Sequence, residues 1–223
     1  MDSFAATAYS PAWLAANVRP RCAALAAYGR QRVFEQCEWF NEPSVWSLDG
    51  DTLNVTTDPK TDFWRKTHYG FTRDSGHCFV VRTQGDFTAQ VRVRGQFHAL
   101  YDQAGLMVRV DESTWMKAGV EFTDDVLMMS SVLTVGQSDW AIGSPIVSKD
   151  GFWMRATVAQ GVLRIQYSID GKTWPLLRLA PFPVAAHYFV GPVCCTPERG
   201  GLQVQFSSFS VSAPLQKDLH DLS

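Results

Sequence analysis

The chain reads as an all-β protein, an antiparallel sandwich. Three observations lead there. Over residues 101–122 apolar and polar residues alternate with a period of two, the signature of strands with one buried face. Short apolar runs are separated throughout by turn signals such as Asp49-Gly50-Asp51, Gln160-Gly161 and Asp170-Gly171. No helical period follows residue 35, so strands have only other strands to pack on.

Residues 1–35 stand apart as an expected extension, with the sandwich at 36–214 and a C-terminal tail at 215–223. The first 33 or so residues are rich in alanine, carry Arg19, Arg21, Arg30 and Arg32, and have no acid between Ser3 and Phe34. Ala12 to Val18 and Arg21 to Tyr28 suit short helices interrupted by Pro20, so the extension is expected to be helical or disordered. Arginine without acids also suits a transit peptide, although the serine richness of such peptides is missing.

From Glu38 the punctuation is that of strands. Leu53-Asn54-Val55-Thr56 alternates after the Asp49-Gly50-Asp51 turn, and Asp58-Pro59 ends it. Thr61 to Tyr69 is dense in polar and aromatic residues and difficult to place in a core as a whole. Cys78 to Arg82 and Phe87 to Arg94 are strands, the second with Phe87, Ala89, Val91 and Val93 on its core face. Leu127 to Val135 is a mostly apolar strand, and Ser138-Asp139-Trp140 is expected to enter a loop. Phe152 to Val158 and Val162 to Ser168 pair about Gln160-Gly161. Leu179 to Ala185 is expected as a proline-containing loop, and Tyr188 to Cys195 and Leu202 to Val211 complete the set. Ser168 to Trp174 comes close to the Asp-box of sialidase propellers, but it is one residue short and occurs once, whereas propellers repeat their signature. Trp174 is therefore expected to pack behind an Asp-Gly hairpin.

The hairpin at 101–122 sorts its side chains most cleanly. Leu106, Val108 and Val110 share one face, as do Met116, Ala118, Val120 and Phe122. Keeping these sets together by pairing Val110 with Met116 places Arg109 opposite Lys117 and Gly105 opposite Glu121. Two cations about 5 Å apart repel by roughly 3 kcal/mol at an effective dielectric near 20, and by about 1 in bulk water. A negative partner is thus expected between them, either a carboxylate of the protein or an acidic or hydroxyl-rich ligand.

Composition narrows the rest. A net charge of −2 argues against an electrostatic nucleic-acid binder, and 46 % hydrophobic residues supply a sizeable core. The eight Trp and fourteen Phe suit strands and sugar-stacking surfaces alike. Five cysteines with no C-x-x-C and five scattered histidines indicate neither a disulfide framework nor a metal site. With no transmembrane-length apolar run and no clear secretory segment, a reduced cytoplasmic protein without cofactor, nucleic acid or membrane partner is expected.

Several stretches together resemble one family. Thr61 to Phe71, Gly85 to Ala89, Tyr101 to Arg109, Ser138 to Trp140, Tyr167 to Trp174 and Leu176 to Phe182 follow in order the signatures of the domains labelled "regulation of enolase protein". The resemblance covers roughly residues 38–212. It implies a jelly-roll sandwich of the concanavalin A-like lectin/glucanase superfamily with one concave sheet, and no established reaction. The superfamily's glucanases carry E-x-D-x-x-E on one strand. That pattern is absent here, and Asp62, Asp102, Glu121 and Asp139 are scattered, whereas a retaining glycosidase needs two carboxyls about 5 Å apart. No catalytic residue is assigned.

The expected function is non-catalytic binding of a carbohydrate or other small ligand on the concave sheet, by Trp64, Arg65, Gln103, Arg109, Lys117, Glu121 and Trp140. The partner is then a saccharide or an acidic small molecule. A regulatory or protein-interaction domain linked to sugar metabolism is the alternative, with exposed aromatics as anchors. A sugar-active hydrolase or lyase is the third, since acids distant in sequence can converge in space.

Overall fold

A computed structural model describes residues 33–148 and 150–223, so the expectations for residues 1–32 lie outside the described part. Its strands are β1 (Glu38–Phe40), β2 (Val45–Asp49), β3 (Thr52–Thr56), β4 (Phe63–Arg65), β5 (Thr72–Asp74), β6 (His77–Thr83), β7 (Phe87–Gly95) and β8 (Gln103–Asp111). They continue as β9 (Thr114–Thr123), β10 (Val126–Val135), β11 (Gln137–Pro145), β12 (Phe152–Ala159), β13 (Val162–Ser168), β14 (Leu176–Pro181), β15 (Tyr188–Cys195) and β16 (Gln203–Ser212). Two seven-stranded antiparallel sheets result, ordered β1-β6-β15-β8-β9-β10-β11 and β14-β13-β12-β7-β16-β3-β2, and β4 with β5 forms a separate small hairpin. The fold is the all-β sandwich that the alternation predicts. Among the described residues no helix is long and apolar enough to cross a membrane.

The main core lies between the sheets. Leu106 and Val108 of β8, Met116, Ala118 and Val120 of β9, and Val190 of β15 meet Phe87 to Val93 of β7 and the alternating set Phe152, Met154, Ala156 and Val158 of β12. Phe34, in the 3-10 turn Val33–Gln36, joins them. It is 2 % exposed and packs on Phe79 and Phe209, so the segment expected as a pure extension contributes a core residue at its end. The C-terminal tail is docked too. Arg164 donates to the Lys217 and Leu215 carbonyls, Leu215 N donates to Thr88 Oγ1, and Trp174 N donates to the Leu222 carbonyl across the outer face of the second sheet. Trp174 is buried there, with the Arg155 guanidinium 3.5 Å from its ring centroid.

The register of β8 and β9 differs from the expected one. Arg109 faces Trp115, Met107 faces Lys117, Gly105 faces Gly119 and Gln103 faces Glu121, and the register shifts between Arg109 and Asp111. The turn is tight, Asp111 opposite Thr114, with Asp111 Oδ1 accepting from Ser113 N at 2.8 Å. A tight turn without irregularity would put core residues opposite surface residues. Val110 is the extra residue of a β-bulge, and one extra residue flips the parity of everything before it, so the apolar sets stay together. Arg109 and Lys117 are therefore not cross-strand partners.

Two expected loops are partly strand. Ser138 to Trp140 belongs to β11, paired with β10 as Trp140 to Val132 and Asp139 to Leu133. Leu179 to Pro181 belongs to β14 on the edge of the second sheet, where Pro181 costs no ladder bond.

Candidate functional site

The period of two that buries Met116, Ala118 and Val120 turns Trp115, Lys117, Gly119 and Glu121 to the opposite side of β9, away from the main core. Gln103, Gly105, Met107 and Arg109 share that side on β8, Val193 and Cys195 on β15, Ser130 and Val132 on β10, and Trp140 on β11. The β4–β5 hairpin lies across one half of this outer face. Phe63 and Trp64 close a second apolar cluster over Cys78, Val80, Met107, Trp115, Val132, Phe189 and Val193.

Arg109 lies within the covered half. It is 2 % exposed, its guanidinium pairs in two-pronged fashion with Asp74 of β5 at 2.6 and 2.7 Å, and it stands 5.2 Å from the Phe40 ring centroid. Arg65 is likewise a brace. Its side chain donates to the Gly136 and Glu112 carbonyls and its backbone N to Ser138 Oγ, tying the hairpin to the neighbouring turns of the first sheet. Neither arginine lines the open half of the face, contrary to the expectation that placed both in the binding set.

The open half holds a cavity of about 200 Å³. Of the seven expected residues, Trp64, Gln103, Lys117, Glu121 and Trp140 line it. Asp62, Tyr69, Phe71, Arg73, Tyr101, Val132, Pro197 and Glu198 complete the wall. Beneath it, over the facing pair Gly105 and Gly119, a hollow of about 20 Å³ borders Lys117, Glu121, Ser130 and Cys195, room for one water. The two glycines make this floor because nothing larger fits. A Cβ on Gly119 would come within 2.1 Å of the Ala104 carbonyl oxygen, and one on Gly105 within 2.0 Å of that of Ala118.

The polar base of the cavity is built around Lys117 and Glu121, four residues apart on β9 and 6 % and 4 % exposed. Lys117 Nζ donates to Asp62 Oδ1 at 3.1 Å, and that oxygen also accepts from Phe63 N at 2.8 Å. Glu121 Oε2 accepts from Ser130 Oγ at 2.9 Å, while Ser130 Oγ accepts from Trp140 Nε1 at 3.1 Å. The relay directs the serine hydroxyl hydrogen toward Glu121 and holds the indole of Trp140 at the cavity wall. Burial raises the Glu121 carboxyl above its usual range, against the opposing pull of Lys117 and Ser130. Burial acts to lower the Lys117 ammonium, but Cys195, Asp62 and Glu121 outweigh it and leave it raised. Burial also pushes the Cys195 thiol up to about 12, so at neutral pH it is uncharged and the two carboxylates do the compensating.

The mouth is aromatic. Trp64 meets Tyr69 edge to face, Tyr69 stacks on Phe71, and Tyr101 meets Trp140 edge to face at 6.4 Å. The Tyr69 and Tyr101 hydroxyls lie 3.5 Å apart, a contact that helps push the Tyr101 phenol up to about 12. Tyr101 sits at a left-handed φ of 62°. That conformation is held from below by the buried Asp102, which accepts from the backbone of His98 and Ala99 and from Arg199. Sequence reasoning missed Tyr69, Phe71, Arg73, Tyr101 and Glu198, which come from connecting segments or the short β5. The density of polar and aromatic residues at 61–69 signals Tyr69 alone among them. Among the described residues, no group of three or more His, Cys, Asp or Glu side chains gathers as a metal ion would need.

The family model described as "Protein of unknown function (DUF1349)" matches residues 39–214. "Regulation of enolase protein 1" of Saccharomyces cerevisiae is 57 % identical over 188 residues, 84 % of this chain and 95 % of that protein. The crystal structure of a functionally unknown protein from Saccharomyces cerevisiae superposes with a TM-score of 0.80 at 56 % identity, covering 82 % of this chain and 98 % of the other. A legume lectin-like domain from Entamoeba histolytica superposes with a TM-score of 0.51 at 11 % identity, covering 80 % and 90 % of the two chains, a likeness of fold that accords with a concanavalin A-like jelly roll.

Proposed function

The chain belongs to the family described as Protein of unknown function (DUF1349), and we propose that it is a non-catalytic binding domain whose cavity on the first sheet takes a saccharide-sized, hydroxyl-rich ligand. The lectin-like sandwich and a relative named for regulation of enolase both fit a regulatory or binding role. One observation carries the finer reading: Trp64, Gln103, Lys117, Glu121 and Trp140, drawn from four separate strands, converge on one cavity. Aromatic faces beside paired donors and acceptors suit the apolar and hydroxylated sides of a sugar ring. The volume of about 200 Å³ is below the roughly 300–1,000 Å³ of sites for drug-sized molecules, which favours a single sugar residue.

The cations that suggested an acidic ligand have protein partners. Arg109 is held by Asp74 and Lys117 by Asp62, so neither needs an external anion. Hydroxyl recognition is favoured instead, with Lys117, Gln103 and Glu121 as hydrogen-bonding groups. The proposed binding unit is residues 36–214, with Phe34 and the docked tail at 215–223 packed against it. A calorimetric screen against mono- and disaccharides, neutral and charged, tests this. Binding lost in Trp140→Ala and Gln103→Ala at unchanged melting temperature supports it; equal binding by all three proteins, or no binding by any, defeats it.

A second reading follows from the relative's name. Tyr69, Phe71 and Trp140 are exposed around the same mouth and suit anchors for a protein partner. Pull-down with purified enolase, repeated with Trp140→Ala, distinguishes this from sugar binding.

A further inference from the structure

We propose that the cavity selects a ligand carrying a protonated amine, an amino sugar in preference to a neutral or acidic one. The inference rests on the saccharide reading of this same cavity and adds the charge of its ligand. Three carboxylates line the space, Asp62, Glu121 and Glu198, against two cations, Lys117 and Arg73. Lys117 is spent on Asp62 at 3.1 Å. Arg73 stacks on Phe71, 4.6 Å from its ring centroid. Glu121, almost wholly buried, accepts its hydrogen bond from the neutral Ser130 and feels Lys117 only at longer range, since that ammonium donates to Asp62.

A buried carboxylate whose direct hydrogen bond comes from a neutral donor gains more from a cation in contact than from a neutral ligand group. The remaining walls point the same way. Trp64, Tyr69, Tyr101 and Trp140 line the cavity, and the negative faces of aromatic rings attract an ammonium held within about 6 Å. Gln103 Oε1, which accepts from the Cys195 thiol at 3.4 Å, supplies a further acceptor at the base. A phosphate or uronate would meet the excess of carboxylates at the same place. One amine donates to Glu121 in place of a hydroxyl, and the ring hydroxyls keep the contacts assigned to Lys117 and Gln103.

The test is calorimetric titration of the full chain with glucosamine, glucose and glucuronate at neutral pH and low salt. Glucosamine is expected to bind at least tenfold more tightly than glucose, with glucuronate weakest. Glu121→Gln should bring glucosamine and glucose to within twofold of each other. Since that buried substitution risks the fold, Glu198→Gln, at an exposed position, is read alongside it and should reduce the preference at least twofold. Equal binding of glucose and glucosamine, or tighter glucuronate, overturns the charge inference while leaving the saccharide site standing. Binding of tetramethylammonium chloride that needs Glu121, with no sugar bound, would keep the cation site and remove the saccharide reading. Absence of binding by all four compounds overturns both.

Discussion

Lys117 Nζ lies 3.1 Å from Asp62 Oδ1, joining a central strand of the first sheet to the segment that leads into the hairpin lying over it. Both side chains are largely buried, and Asp62 shares the compensation of the ammonium with Glu121. Asp62→Asn should destabilise the protein by about 3 kcal/mol, because it removes the hydrogen-bonded partner of a buried ammonium and leaves Glu121 as its compensating carboxylate. Asp62→Asn combined with Lys117→Met should recover much of that loss in a urea-unfolding cycle. If the double variant is as unstable as the sum of the single ones, the pair is not coupled.

The pH dependence follows from Glu121. Its folded-state pKa is raised, so its contribution to stability is fully present below the unfolded value of about 4.3 and is lost as pH rises through the folded value. Relative to wild type, Glu121→Gln should therefore gain stability as pH rises from about 4 toward neutrality. Thermal melts of both proteins across that range check the sign; a wild type that gains relative to the variant would contradict it.

Gly119→Ala should cost about 1–3 kcal/mol or more, since the new methyl meets the Ala104 carbonyl and Gly105 Cα of the neighbouring strand and no flexible side chain can yield. Denaturant midpoints measure this directly. An unchanged midpoint would mean that β8 and β9 can separate locally at no cost.

Phe34 belongs to the larger of the two apolar clusters. Phe34→Ala should cost about 3–5 kcal/mol, as for other buried phenylalanines. Removing residues 1–32 should leave cooperative unfolding nearly unchanged. Equal losses from the two changes would place the structural boundary earlier in the chain.

Much of this was legible in the sequence, and the reasons differ residue by residue. The faces of β8 and β9 follow from alternation, so Gln103, Lys117 and Glu121 could be placed together on the side away from the core. Their register could not, because the bulge at Val110 leaves no compositional mark and changes parity by one. Arg109 was grouped with Lys117 on that wrong register, and its partner Asp74 lies 35 residues away on a three-residue strand that no period reveals. Trp140 stands out in the sequence although its strand does not, since β11 alternates weakly and its exposed edge residues resemble a loop. Tyr69, Tyr101 and Glu198 come from connections whose approach to the cavity is a property of tertiary packing alone.

The central claim is that a sugar-sized ligand occupies the cavity between Trp64 and Trp140. Indole N–H signals give the most direct measurement, because the chain has eight tryptophans, and Trp39, Trp46, Trp153 and Trp174 do not line this cavity. Trp64 Nε1 donates to the Thr67 carbonyl and Trp140 Nε1 to Ser130, so both report on the cavity wall. Titration with glucosamine, followed by two-dimensional nitrogen–proton spectra, should shift the Trp64 and Trp140 signals saturably and leave those of Trp39, Trp46, Trp153 and Trp174 in place. Unmoved Trp64 and Trp140 signals at saturating sugar, or shifts confined to the other indoles, would contradict the account.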